Sequence, residues 1–263
     1  MWSGHGIIIA FYCRYLIPNC SLRLVFWRGR PQFHLISNDP APDYELEIVR
    51  AYLQLHYIEA VDGLTQSVNE LLGGATAAKY FLEFSKLKSL TLSAGDGSCS
   101  ITDVYSSGSL PTELLLILNK QTSFAGSWVS NPFEFVHAKI SSILTLINDE
   151  PCPYATPILI QADKGLVAEI YNNLFVKNPY GVHGEEIAKT LVTKDDFIGG
   201  TSIFRIVFSH TDINLLQPLP RQGKLSLEIT FSQGLSVAHT LVLYAKFPAI
   251  LEVASSGQIN LRV

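Results

Sequence analysis

The sequence predicts an all-β fold, two antiparallel sheets packed as a sandwich or jelly roll, with only a few short helices. Three observations carry that expectation. The first is the stretch from Asp196 to Val253, where three apolar segments are separated by short turn signals. Leu225 to Phe231 sends Leu225, Leu227, Ile229 and Phe231 to one face and Ser226, Glu228 and Thr230 to the other. His239 to Phe247 likewise sends Leu241, Leu243, Ala245 and Phe247 to one side. A period of two with one apolar face is what half-buried antiparallel strands require. The second observation is the recurrence of turn chemistry along the whole chain. It divides the sequence into roughly nine or ten strands joined by long loops, a pattern that favours a sandwich or jelly roll over a parallel α/β fold. The third is composition. Hydrophobic residues make up 48%, charged residues only 16%, and the mean hydropathy is +0.23. That is apolar for a soluble monomer and asks for two fully packed sheets or for surface buried against partners.

In chain order, Gly6 to Tyr15 and Ser21 to Trp27 are β-rich runs joined at Pro18-Asn19, and Phe33 to Ser37 reads as a short strand after the basic turn Arg28-Gly29-Arg30-Pro31. Asn38 to Asp43 is loop chemistry. Tyr44 to Ile58 reads as a long strand whose apolar parity changes near Ile48 and Val49, the mark of a bulge or of burial on both faces. Asp62 to Leu72 predicts a helix capped by Asp62, with Leu64, Val68, Leu71 and Leu72 on one face and Gly73-Gly74 ending it. Lys79 to Leu92 is strand-like, Ser93 to Ser100 a loop, and Glu113 to Asn119 a central strand built on Leu114 to Leu118. Lys120 to Phe135 is irregular and aromatic, Val136 to Ile147 the next strand, and Asn148 to Pro151 a turn. Asp163 to Phe175 can form an amphipathic helix through Leu166, Ile170, Leu174 and Phe175, although Gly165 and Asn172-Asn173 weaken it. Lys177 to Gly184 is a polar loop, Glu185 to Thr193 a short helical turn, and Thr201 to Phe208 a strand after Gly199-Gly200.

Composition also narrows the function. With a formal net charge of -4 there is no global attraction to nucleic acid or anionic lipid. The cysteines Cys13, Cys20, Cys99 and Cys152 share no metal-ligand spacing and read as reduced thiols. Gly6 to Ile17 lacks a basic leading region and a small-residue cleavage site, carries Arg14, and is too short to span a bilayer. It reads as strand, with a signal anchor as the alternative, and the chain reads as soluble and intracellular. His183-Gly184-Glu185-Glu186 is half of a metal site at most, because the HxH pair that cupin-type centres need is absent. Asp195-Asp196 fits a cap or an ion pair better than an acid/base dyad, since no nucleophile motif accompanies it. No GxSxG, Walker loop or GxGxxG in strand–helix context is present. Phe124, Trp128, Phe133 and Phe135 on the long irregular loop are candidate core anchors or contacts. Arg28 and Arg30, and Lys86 and Lys88 on one strand face, could meet nucleic acid; a solvated turn and a polar strand face are the plainer alternatives.

The order of several motifs resembles one family. NPFEF (Asn131 to Phe135) is followed by a strand ending in IND (Ile147 to Asp149), then YNNLF, then DDFIGG, then the pair LSLEITF and LVLYAKF. This order, from about Leu22 to Val253, is similar to that of the hexon-type double jelly-roll major capsid proteins of Polinton (Maverick) elements and related adenovirus-like viruses. Upstream, LRLVFWRGRPQFHLIS and PDYELEIVRAYL resemble the closing strands of the family's first jelly roll, and the Asp62 helix its inter-barrel helix. The resemblance implies residues 1–60 as the late strands of a first jelly roll, 61–75 as a linker helix and 76–263 as a complete second jelly roll. It implies a trimeric, non-enzymatic capsomer without a cofactor. Its partners would be copies of itself and other capsid proteins, and its place the virion, or the host cell interior for a genomic copy. In such a tile, Phe124, Trp128, Phe133 and Phe135 would meet neighbouring subunits, and Arg28 and Arg30 could face packaged nucleic acid. Because Met1 falls where the family already has its late strands, a truncated or domesticated copy is expected, and Lys246, Pro248 and Ala249 depart from the family's acidic residues. The alternative is a lectin-like jelly-roll module reading sugars through its aromatic loop. A cupin-like enzyme is disfavoured by the missing HxH.

Overall fold

The alternating stretches become strands where a neighbouring strand pairs at least one of their backbone edges. The computed structural model describes residues 5–6, 23–39, 42–54, 59, 61–73, 77–106, 108–175, 192–208, 220–254 and 258–262. The strands of the sandwich are β2 (Ala78–Leu92), β3 (Ser98–Ile101), β4 (Glu113–Lys120), β5 (Ile140–Ile147), β6 (Glu150–Pro151), β7 (Ile158–Leu159), β8 (Ile203–Val207), β9 (Leu225–Phe231) and β10 (His239–Val253). Two short strands are added at the margins: β1 (His5–Gly6) pairs with Ser85 and Lys86 of β2, and β11 (Ile259–Arg262) pairs with the end of β10.

All pairings between these strands are antiparallel; a parallel bridge joins Phe135 to Thr201 outside them. One sheet runs β2-β10-β4-β8, and the other runs β3-β9-β5 with both β6 and β7 on β5. Setting aside the β6 hairpin, the first, eighth, third and sixth strands of the sandwich share one sheet, and the second, seventh, fourth and fifth share the other. That interleaving is the winding of a jelly roll. The expectation of an all-β jelly-roll sandwich with few short helices holds.

The period-two faces meet in the middle. Leu114, Leu116 and Leu118 of β4 and Leu241, Leu243, Ala245 and Phe247 of β10 are fully buried. They face Leu225, Leu227, Ile229 and Phe231 of β9 and Ile140 and Ile143 of β5 in one continuous core. Glu228 and Thr230 point outward, as their parity predicts. The turn at Asn148-Asp149 has positive φ at both residues, 53° and 67°. With Ile147 paired to Glu150, this is the mirror-image turn that matches strand twist.

Several expectations need correction. The end of the stretch read as loop, Ser98 to Ser100, belongs with Ile101 to strand β3, because β9 supplies a partner for a segment whose own pattern is largely polar. The helix expected over Asp163 to Phe175 shortens to α4 (Ala168–Asn173), since Gly165 takes φ +67° and closes a separate 3₁₀ turn at Ala162–Lys164. Residues 23–27 and 44–54, read as strands, carry no regular secondary structure. Residues 31–34 form a helical turn, α1 (Pro31–His34), because Pro31 sits at its first position with φ preset. A strand needs a partner for its backbone groups, and none among the described residues pairs with these segments. The helix predicted at Asp62 forms as α2 (Asp62–Gly73), with no residue of it buried. Cys13, Cys20, His183 to Glu186, most of Gly6 to Ile17 and most of Lys177 to Thr193 lie outside the described residues.

Candidate functional site

The irregular segment between β4 and β5 begins with a helical turn, α3 (Gln121–Phe124), and then crosses one end of the sandwich. Its conformation is set by local hydrogen bonds. The side chain of Asn131 accepts from the Phe133 amide at 2.9 Å, and buried Asn119 donates to the Pro132 carbonyl. Phe135 is tied in on both sides: its amide donates to the Gly200 carbonyl at 2.7 Å, and its carbonyl accepts from the Ser202 amide at 3.0 Å.

Three of the four aromatic residues singled out on this segment join a cluster with residues far upstream. Phe133 meets Phe135 edge-on at 6.4 Å, and meets Phe33 edge-on at 6.4 Å. Trp128 meets the ring of Tyr44 at 6.3 Å, and its carbonyl accepts from the Ser37 amide at 2.7 Å. Gly126 takes φ +95°, a left-handed conformation that favours glycine, where the loop passes Gln32 and Phe33. Phe124 is half-buried in α3 and makes no ring contact with the others among the described residues. The aromatic loop is therefore the dock of the chain's own N-terminal segment, here called the arm, and Phe133 remains 62% exposed beside it.

The basic residues are engaged by the molecule itself. Arg28 bonds the Leu46 carbonyl at 2.5 Å and the Glu45 carboxylate at 3.0 Å, while Arg30 is exposed at the start of α1. Lys88 donates to the Val104 carbonyl at 2.8 Å. The Lys86 ammonium lies 4.9 Å from the centre of the Phe247 ring and 5.4 Å from that of Phe84, and burial lowers its pKa.

Two features were not found by sequence reasoning. The first is a buried ion network. Arg205 of β8 bonds Glu113 of β4 at 2.9 Å and the Asn173 carbonyl of α4 at 3.0 Å, while Lys246 of β10 stands 3.5 Å from the same Glu113. A lone arginine inside the apolar run TSIFRIVF was the available signal, because a charge on a buried strand must be paired. The second is a cleft of about 400 Å³ at the end of the sandwich. The end of β4, residues 136–139, the β9–β10 loop and the C-terminal end of α5 (Lys194–Gly199) wall it. Among the described residues no group of three or more His, Cys, Asp or Glu is placed to hold a metal. No helix among them is long and apolar enough to cross a membrane.

No protein-family model matches the sequence, and no curated protein does. Among solved structures, the chain is similar to the capsid of the PBCV-1 virus, at 13% identity and a TM-score of 0.38 over 71% of this chain and 52% of that one. It is also similar to the major capsid protein of mavirus, at 9% identity and a TM-score of 0.36 over 72% of this chain and 42% of that one. The chain thus spans about half the length of the solved chains it matches. Both are viral capsid proteins, whereas the jelly-roll assignment rests on this chain's own strand order.

Proposed function

We propose that this chain is a capsid-type structural protein that acts by self-association, with no chemistry of its own. The observation that carries this reading is the apolar surface of the arm. Phe26 and Trp27 are each 86% exposed, Val49 88% and Tyr52 83%, with Ile48 and Leu53 beside them. Apolar side chains concentrated in this way on a segment without secondary structure mark a surface that is buried in an assembly. The jelly-roll winding and the order of motifs from NPFEF to LVLYAKF support a capsid lineage of the Polinton type, and with it trimeric capsomers in a virion. On this reading Phe133 and its neighbours Trp128 and Phe135 hold the arm at the subunit boundary, with Phe124 at its margin. Arg28 and Arg30 lie on the same arm, where a capsid interior would bring them to nucleic acid.

Sedimentation over a range of concentrations tests the proposal. The chain is expected to form trimers, or larger assemblies built from them. Val49→Glu combined with Tyr52→Lys places charges on the exposed arm and is expected to give a monomer whose melting temperature is unchanged, because neither side chain packs on the sandwich. A parent chain that stays monomeric at all concentrations would overturn the proposal.

A further inference from the structure

We propose that the cleft at the end of the sandwich binds a small organic oxyanion, a phosphate or carboxylate carried on an apolar body. The cleft is about 400 Å³, within the size range of small-ligand sites. All of its titratable lining residues are basic: Lys120, His137, Lys139 and His239. In a chain of net charge -4 this is a local reversal of sign. Val136, Ile198 and Leu235 supply an apolar wall, so charge and hydrophobic surface converge on one space. Two carboxylates that touch lining residues stand outside the lining themselves. Asp163 lies 4.0 Å from the His137 Nε2 on an exposed side chain, and Glu134 lies against Gly200.

The donors are positioned before any ligand arrives. Ala138 and Lys139 both have positive φ, 46° and 55°, a conformation that costs side-chain-bearing residues energy and persists only where the surroundings enforce it. Here the enforcement is explicit. The Lys139 amide donates to His137 Nδ1 at 3.1 Å, and its carbonyl accepts from the amide and hydroxyl of Ser232 at 2.9 and 3.2 Å. The Lys139 ammonium donates to Gln233 Oε1 at 2.8 Å, which uses one of its three protons and aims the rest. Because His137 Nδ1 is an acceptor, its proton sits on Nε2, on the side of the ring that stands 4.0 Å from the Asp163 carboxylate, so the lysines are the principal donors to the cleft. His239 Nδ1 lies 2.7 Å from the Val237 carbonyl and holds the β9–β10 loop against the cleft. Lys120 has no ion-pair partner among the described residues and stands at the rim.

Calorimetric titration of the full chain with phenyl phosphate, benzoate and benzyl alcohol tests the proposal, the first two distinguishing phosphate from carboxylate. One equivalent of phenyl phosphate or of benzoate is expected to bind, and benzyl alcohol, of the same shape without charge, is not. Lys139→Asn, chosen because asparagine tolerates positive φ, removes a charge-assisted hydrogen bond and is expected to weaken binding about tenfold. Lys120→Gln should weaken it by a smaller factor. Gly199→Leu adds bulk to the cleft wall where a Cβ meets nothing within 4 Å, and is expected to abolish binding with the melting temperature unchanged. Equal binding of benzyl alcohol, binding unaffected by Lys139→Asn and Gly199→Leu, or no heat from either anion would each overturn the proposal. The outcome is independent of whether the chain assembles.

Discussion

Among single residues, Arg205 ties β8 to β4 and to the end of α4 through its charge. Its side chain is 10% exposed and that of Glu113 5%, so both charges have left water; their mutual bond, the Asn173 and Leu174 carbonyls at 3.0 and 3.3 Å from Arg205, and Lys246 beside Glu113 help to replace the lost solvation. Such a pair adds little net stability compared with apolar residues, but breaking it is expensive because one charge is stranded. Arg205→Ala leaves Glu113 with Lys246 at 3.5 Å and is expected to cost about 3 kcal/mol, read as a lowered urea midpoint. The double change Arg205→Met with Glu113→Leu should recover most of that loss. A single change costing less than about 1 kcal/mol would show that water reaches the pair. This network was only half legible in the sequence. A lone arginine in an apolar strand announces that a partner exists, but the partner is 92 residues away and is named only by the register of β4 against β8.

At the scale of elements, the long strands were readable because their residues repeat with the period of the pleat, as in β9 and β10. What escaped was decided by neighbours. Ser98–Ile101 buries only its last residue and owes its extended form to β9. The arm segments have strand-like composition but no strand beside them among the described residues, so propensity alone does not make them strands. Pro248 is instructive within β10. It falls after β4 pairing ends at Lys246 and before β11 pairing begins at Ile250, so a missing amide interrupts nothing on that edge. Helix α5 shows the same interplay at its start. The Thr193 hydroxyl accepts from the Asp196 amide at 3.1 Å, and the Asp196 carboxylate accepts from the Thr193 hydroxyl and amide, a reciprocal capping box. Hydrogen bonds from the Thr193 hydroxyl, then from its amide, lower the Asp196 pKa. A carboxyl whose folded pKa is depressed stabilises the fold above its unfolded value, and that contribution is lost as pH falls through the folded one. Thr193→Ala removes the capping box and is expected to lower the melting temperature at pH 7. The gap between variant and parent should narrow in strong acid, where Asp196 is protonated in both. A gap that widens on acidification would contradict the assignment of the cap.

For the whole molecule, the contrast between sandwich and arm sets its behaviour. Strand β10 is hydrogen-bonded to β2 along its length and to β4 and β11 on its other edge, and its inward side chains fill the centre of the core. Its amides can open only when the sandwich does. Residues 42–54 have no secondary structure and carry much of the exposed apolar surface. Free energies of opening span from near zero at such segments to the global value in core strands. Hydrogen exchange at two protein concentrations separates the consequences. In dilute solution amides of residues 42–54 are expected to exchange without protection, while those of Leu241 to Phe247 exchange only through global unfolding. At concentrations where the chain assembles, the arm should gain protection, because association stabilises whatever it buries by mass action. The β10 amides should keep their place as the slowest. Arm amides protected in the dilute monomer would mean that the arm is satisfied within one chain, and arm amides unprotected in the assembly would mean that copies meet elsewhere. Either result removes the arm from the interface, and the capsid reading would then need a different surface to stand on.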